Sequence, residues 1–304
     1  MHAAMPDHAS LSLSFAIPLP AGYRVQDVLA FHRRDAESVA EEVGERTLKK
    51  GVLLDGVPVV LGVVFEPDAA QCGADIDGPV VPGLEARIAD ALHNILGLRI
   101  DPAPFCAAAD QDPLLGPVVR RQPGLRIVQS ATVFEALTWA IIGQQINLSF
   151  AIALRRTFIG LAGRAHSSGL WCYPEAADVA RLDLEQLTSR KFSGAKAETL
   201  LRFARLVADG ALSLDRADDP AAVGERLLAV KGIGPWTVNY ALLRGWGYAD
   251  CSLHGDVAVR NAIGRLRGTE RPGLREAETF LEAYRPHRTM AAAYLWASLS
   301  QDAG

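Results

Sequence analysis

The stretch 227–256, LLAVKGIGPWTVNYALLRGWGYADCSLHGD, reads as two apolar helical runs joined by Gly232, Ile233, Gly234 and Pro235, with an acidic residue opening a third run downstream. Asp219 and Pro220 supply an N-cap and a first helical residue, and Val223, Leu227, Leu228 and Val230 supply an apolar face. Gly232 suits the left-handed residue beyond a helix end, and Pro235 starts the next helix. The turn between them is too tight for side chains near the backbone. Its amides and the second helix's N-terminus can therefore meet a phosphate oxygen, which makes a duplex backbone the natural partner.

Working outward, the 304-residue chain is 49% hydrophobic and 22% charged, enough apolar material for two or three packed units. Its net charge of −4 hides an asymmetry: residues 1–114 carry 8 basic and 17 acidic side chains (−9), whereas residues 115–304 carry 23 and 18 (+5). The field that favours a polyanion lies on the same part of the chain as the hairpin. Cys72, Cys106, Cys172 and Cys251 are too dispersed for a CxxC metal clamp, so they read as reduced and structural. No apolar run approaches the roughly 20 residues that span a bilayer, and nothing near the start resembles a secretory signal. A cytoplasmic protein without membrane contact is expected.

The expected fold class is α+β: a small N-terminal domain with an antiparallel sheet, residues 1–114, followed by an all-helical region, 115–304. Residues 10–17 (SLSLSFAI) alternate with Leu11, Leu13, Phe15 and Ile17 on one face, and Val57–Phe65 reads as a more deeply buried strand. Helical periodicity at 25–32 and 84–96 completes that domain. Pro102, Pro104, Pro113, Pro117 and Pro123 disfavour continuous helix and mark the boundary. Beyond it Phe134, Leu137 and Ile141 share a helical face in a run that either continues or breaks near Gly143. Further helical patterns recur at 183–188, 195–207, 257–266, 274–284 and 289–299.

Asp256 precedes an apolar helical run, the place of an ordinary N-cap; downstream of a DNA-anchoring turn, the same carboxylate on a rigid helix start can face an extruded nucleotide. Trp236 and Tyr240, four positions apart, share one face of the helix after the hairpin. Rings so placed can stack on a flat base, and a positively charged alkylated purine gains more from them than a neutral one. Gln144 and Gln145 interrupt an apolar segment; they read either as a surface or capping pair, or as a side chain that fills the gap left by a flipped nucleotide.

With these residues in place, the chain resembles the helix-hairpin-helix DNA glycosylase superfamily, and within it the 3-methyladenine DNA glycosylase II type. The resemblance rests on LSFAIP at 13–18, GLR at 124–126, FEA at 134–136, IGQ at 142–144, GIGPWTVNY at 232–240, LRGW at 243–246, the Asp256 segment, RPHR at 285–288 and YLW at 294–296. It implies Asp256 as the catalytic carboxylate, Trp296 as a ring stacking on the flipped base, and Trp236 and Tyr240 as further pocket walls. It places Gly232, Ile233, Gly234 and Thr237 on phosphate, and Gln145 as the wedge, where the best-known relative has leucine. The main-chain carbonyls of Leu228, Val230 and Ile233 would hold a monovalent cation; no other cofactor is implied. Relatives with lyase activity place a lysine where this chain has Trp236, so base excision without strand cleavage is expected.

These readings converge on a monomeric, monofunctional DNA N-glycosylase that excises alkylated purines from double-stranded DNA in base excision repair. Two alternatives stand beside it. One is a lesion-binding protein without catalysis, in which Asp256 only caps its helix; the other is an oxidised-purine glycosylase. His254, two residues before the carboxylate, either tunes it, touches phosphate or is simply solvated.

Overall fold

Alternation and turn chemistry dictate the first part of the chain. The computed structural model describes residues 11–300, so Ser10 of the first expected strand lies outside the described residues. In chain order the elements begin β1 (Leu11–Pro18), α1 (Val25–His32), β2 (Glu41–Val43), β3 (Thr47–Leu54), β4 (Val57–Phe65), β5 (Ala69–Ile76) and α2 (Leu84–Ile95). They continue with α3 (Ala103–Ala109), α4 (Gly116–Arg121), α5 (Val133–Gly143), α6 (Leu148–Ala162), β6 (Arg164–Ala165), β7 (Trp171–Cys172), α7 (Ala176–Ala180), α8 (Leu184–Thr188) and α9 (Gly194–Ala208). The last are α10 (Pro220–Leu228), α11 (Pro235–Ala241) running into a π turn at Leu242–Trp246, α12 (Val257–Arg267), α13 (Leu274–Glu282) and α14 (Arg288–Ser300).

The α+β architecture is the expected one, but the chain divides differently from the 114/115 boundary. One compact unit takes the described residues up to Pro20, Val25–Leu92 and Gln145–Asp209; the other takes Ala21–Arg24, His93–Gln144 and the chain from Gly210 onward. The sheet unit thus recruits a helical segment that periodicity alone assigns to the helical region, because period reports an element's own face and not its neighbour.

In the sheet unit the five strands run in the order β1-β5-β4-β3-β2, every neighbouring pair antiparallel. Leu48, Val52, Val59, Leu61, Val63, Ala74 and Ile76 are buried. The segment through β7 adds a pairing that the all-helical expectation missed: Tyr173 N–H donates to Gly51 O at 3.1 Å, and Leu53 N–H to Tyr173 O at 3.0 Å. A Cβ on Gly51 would lie 2.2 Å from the Trp171 carbonyl oxygen, so this approach requires glycine. Beneath the strands Glu41 is buried between Lys50, 2.5 Å away, and Arg155, whose two terminal nitrogens reach its oxygens at 2.6 and 3.0 Å. Burial works to raise the Glu41 carboxyl, but the charges of Arg155 and Lys50 outweigh it and hold the group well below the ordinary carboxylate range.

In the helical unit the proline-rich stretch forms two short helices, α3 and α4, each with proline in its first turn, where the missing N–H costs nothing. The run after Thr132 breaks after Gly143, one of the two outcomes its pattern allows: Thr132 caps α5 through Glu135 N–H, and Asn147, already in the sheet unit, caps α6 through Phe150 N–H. Helix α5 packs on α11 and on the π turn, where Gly245 leaves space for Ala136. The loop ahead of Asp256 is sewn to the start of α14. Arg288 grips Asp250 with Nε on Oδ1 at 2.8 Å and Nη2 on Oδ2 at 2.9 Å, and Thr289 Oγ1 accepts Cys251 N–H at 2.8 Å. This bidentate pair ties the loop before α12 to the first turn of α14.

Candidate active site

The helical unit brings the hairpin, the carboxylate and the aromatic rings together from α5, α10, α11, α12 and α14. Asp219 caps α10 through Ala222 N–H at 2.9 Å. The helix ends at Leu228, and Gly232 takes φ 97°, the left-handed conformation its position called for. Val230 O accepts Ile233 N–H at 3.0 Å and closes the turn. Among the described hydrogen bonds, neither the Gly232 nor the Gly234 N–H is donated within the chain. A Cβ on Gly234 would meet nothing within 4 Å, so no internal contact requires glycine there.

Two hairpin residues make contacts inside the chain. The Ile233 side chain is buried and its amide is already used on Val230, which leaves the two glycines as the outward donors. Thr237 is 2% exposed, and its Oγ1 accepts Gln144 Nε2 at 2.9 Å; the same Nε2 donates to Gly232 O at 3.0 Å. Thr237 Oγ1 and Gln144 thus brace the loop from within, and the Thr237 N–H lies in the first turn of α11. Gln145 is exposed and holds a left-handed backbone, φ 57°, directly after the residue that braces the hairpin. Leu228, one of the three carbonyl donors expected for a cation, is 47% exposed, and the Val230 carbonyl already takes one N–H in the turn.

Asp256 is the N-cap of α12, its Oδ1 accepting Val259 N–H at 3.0 Å. The cap and the candidate catalyst are thus one residue. Two indoles add to this: Trp236 Nε1 donates to Oδ2 at 3.0 Å, and Trp296 Nε1 donates to Oδ1 at 3.1 Å. Trp236 stacks on Tyr240 with ring centroids 5.2 Å apart and planes 27° apart, and Tyr240 Oη accepts Trp139 Nε1 at 3.2 Å. Asp256, Trp236, Tyr240 and Trp296 are all half-buried, as a site open to a substrate must be. Trp296 was expected to offer a face; the structure shows its edge engaged as well. An indole can do both, since its N–H lies in the ring plane and its π surface above and below.

A carboxylate oxygen pair has about four lone-pair positions, of which three here receive neutral N–H donors. The orientation of the group is fixed while its charge is left uncancelled by any cation bonded to it among the described contacts. Such a group can stabilise positive charge that develops beside it. His254 instead faces Ser252, with Nδ1 2.9 Å from Oγ. Sequence reading also passed over Arg244, whose guanidinium carbon lies 5.8 Å from the ring centroids of both Tyr240 and Trp296. Its place in LRGW, four residues after Tyr240, was the available signal.

Comparisons with known proteins identify the family. A model of the family described as HhH-GPD superfamily base excision DNA repair protein matches residues 138–286, from the middle of α5 to the turn before α14. A DNA-3-methyladenine glycosylase of Bacillus subtilis (strain 168) is 32% identical over 288 residues, covering 92% of this chain and 95% of that protein. Among solved structures, a 3-methyladenine DNA-glycosylase from Archaeoglobus fulgidus superposes with a TM-score of 0.78 at 22% identity, over 93% of this chain and 97% of the other. The Schizosaccharomyces pombe 3-methyladenine DNA glycosylase in complex with abasic DNA does so with a TM-score of 0.56 at 23% identity, over 64% and 95%. Hairpin, capped carboxylate and flanking rings thus sit in a chain that belongs to the HhH-GPD superfamily of base excision DNA repair proteins.

Proposed function

We propose that this chain is a monofunctional DNA N-glycosylase of the 3-methyladenine type, which flips an alkylated purine out of duplex DNA and hydrolyses its N-glycosidic bond as a step of base excision repair. The observation that carries the reading is the Asp256 carboxylate, held by two indole N–H groups and its own helix with no cation bonded to it among the described contacts. As the bond between the base and the sugar breaks, C1′ becomes an oxocarbenium-like centre. Asp256 stabilises that charge and orients the water that adds to it. Alkylation at N3 or N7 makes the base a good leaving group, so the reaction needs no strong acid. Trp236 and Tyr240, one stacked on the other, and Trp296 wall the site that receives the base.

The two outward glycine amides serve the phosphate next to the flipped nucleotide, and the exposed Gln145 enters the gap it leaves. With Trp236 where a lyase would carry its lysine, and with its nitrogen bonded to Asp256, the chain has no amine at that position for a Schiff base. A monovalent cation on the main-chain carbonyls of Leu228, Val230 and Ile233 belongs to the same reading: Leu228 closes the last turn of α10, and the Val230 carbonyl keeps a second lone pair beside the Ile233 N–H. The enzyme acts as a monomer on double-stranded DNA in the cytoplasm.

Asp256→Asn keeps a good N-cap and removes the charge. Release of methylated purines from alkylated DNA should fall about a thousandfold with melting unchanged. Undiminished release with intact binding to an abasic duplex would remove Asp256 as the catalyst.

A further inference from the structure

The positive excess of the helical part of the chain is concentrated in one stretch. Residues 260–275 hold five arginines and one acid, Glu270, a charge of +4 out of the +5 carried by residues 115–304. Two of these arginines serve the fold: Arg260 Nε donates to Pro272 O at 2.9 Å, and the Arg267 guanidinium lies 4.9 Å from the Phe280 ring centre. Arg265 and Arg271, both exposed, instead line a cleft of about 420 Å³ with Asn261, Thr269 and Leu299, between α12, the loop that leaves it and the end of α14. No carboxylate is in this lining. The loop is seated firmly on the helix. Gly268 turns the chain at φ 66°, Thr269 N–H donates to Gly264 O at 2.9 Å, and a Cβ on Gly264 would lie 2.7 Å from Glu270 O. Val257, Asn261 and Arg265 are spaced by four and form one exposed stripe of α12, which starts beside Asp256 and runs to the cleft.

We propose that this cleft is a second phosphate-binding site, separate from the hairpin, in which Arg265 and Arg271 hold the DNA backbone beside the flipped nucleotide; this rests on the glycosylase reading above. A guanidinium suits the task, because its planar fork meets two phosphate oxygens at once and keeps its charge at any working pH. At a rise of about 1.5 Å per residue, Arg265 stands roughly 14 Å along α12 from Asp256. One strand carries a phosphate about every 3.4 Å of duplex axis, so the phosphate held there lies within about four nucleotides of the lesion. The hairpin offers neutral amides to a single phosphate, whereas the cleft adds two full charges and releases counterions from the duplex. Backbone contacts carry no sequence information. The cleft therefore strengthens binding to damaged and undamaged duplex alike, and selection of the base stays with the ring-walled carboxylate. Because one helix presents Asp256 at its start and the cleft at its end, a backbone gripped by Arg265 is held in register with the carboxylate.

The test measures duplex affinity by fluorescence anisotropy over a range of salt concentrations, for one duplex with a tetrahydrofuran abasic analogue and for the same duplex undamaged. Arg265→Gln and Arg271→Gln each remove an exposed charge and should leave melting unchanged. Each should weaken binding to both duplexes about five- to tenfold near 0.1 M salt and reduce the slope of log affinity against log salt by about one, and the double variant by about two. Lys49→Gln, an exposed charge on β3, is the control for net charge and should leave the slope as it is. Unchanged slopes in the arginine variants, a loss confined to the abasic duplex, or an equal loss in Lys49→Gln would overturn the site. If wild type releases methylated purines from alkylated DNA while the slopes do not move, the site falls and the glycosylase reading stands. If the slopes move as expected but wild type releases no methylated purine, the DNA contact is upheld and that reading falls.

Discussion

Glu41 and Asp256 are both carboxylates gripped by several donors, and the contrast between them separates structural charge from working charge. Glu41 sits buried with Lys50 and Arg155 bonded to its oxygens, so two cations surround one anion and the charge is consumed inside the fold. Asp256 is half-buried and receives three neutral N–H groups, two from indoles and one from its own helix. Neutral donors fix a carboxylate's direction without cancelling its field. A protein that needs a negative charge for a developing cation should surround it in the second way, and one that needs a pinned strand can use the first.

The largest expected effect breaks the structural side of the comparison. Glu41→Gln leaves Lys50, 2% exposed, and Arg155 without a full counter-charge, which should cost about 3–5 kcal/mol of stability by denaturant unfolding. Excision by the folded fraction should stay at its wild-type rate; a matching loss of activity would tie Glu41 to the chemistry. Because the folded-state Glu41 carboxyl titrates below its unfolded value, its contribution is present above the ordinary carboxylate range and is lost as pH falls beneath it. Wild-type stability should therefore decline into acid more steeply than that of Glu41→Gln, and parallel curves would count against the pairing.

On the working side, Trp296→Phe and Trp236→Phe each keep a ring and delete one N–H to Asp256. Each should slow excision about tenfold, the value of one hydrogen bond to a charged group, with abasic-duplex affinity little changed. A loss confined to affinity would make the rings stacking surfaces only. Smaller again is the hairpin's support: Gln144→Ala removes the brace on Gly232 and Thr237 and should weaken duplex affinity about fivefold while leaving the rate at saturating enzyme unchanged. Gly234→Ala sharpens the same point, because the new Cβ meets nothing inside the chain. Melting should hold while DNA affinity falls, and unaltered affinity would show that no backbone approaches that turn.

The chain wrote some of this plainly and hid the rest. Gly232, Pro235 and the Asp256 cap are local devices whose backbone demands can be read at one position, and the alternation of β1 and the length of β4 are equally local. What stayed hidden depends on partners distant in sequence. Lys50 and Glu41 look like surface charges until Arg155 is placed on them from 114 residues away. The helices of 145–209 give no hint of which unit they join, and the edge-on bonds of Trp236 and Trp296 to Asp256 span 20 and 40 residues. The same holds for Thr237, whose hydroxyl accepts the Gln144 amide that follows α5, a partner 93 positions away that no local pattern announces.

The central claim is that Asp256 presents an uncancelled negative charge to the sugar. The most direct measurement compares the affinity of wild type and Asp256→Asn for two duplexes, one with a cationic pyrrolidine in place of the deoxyribose and one with a neutral tetrahydrofuran. Wild type should prefer the cation by about a hundredfold, and the variant should bind the two within about threefold of each other. Equal affinities in wild type, or a preference that survives in Asp256→Asn, would contradict the account.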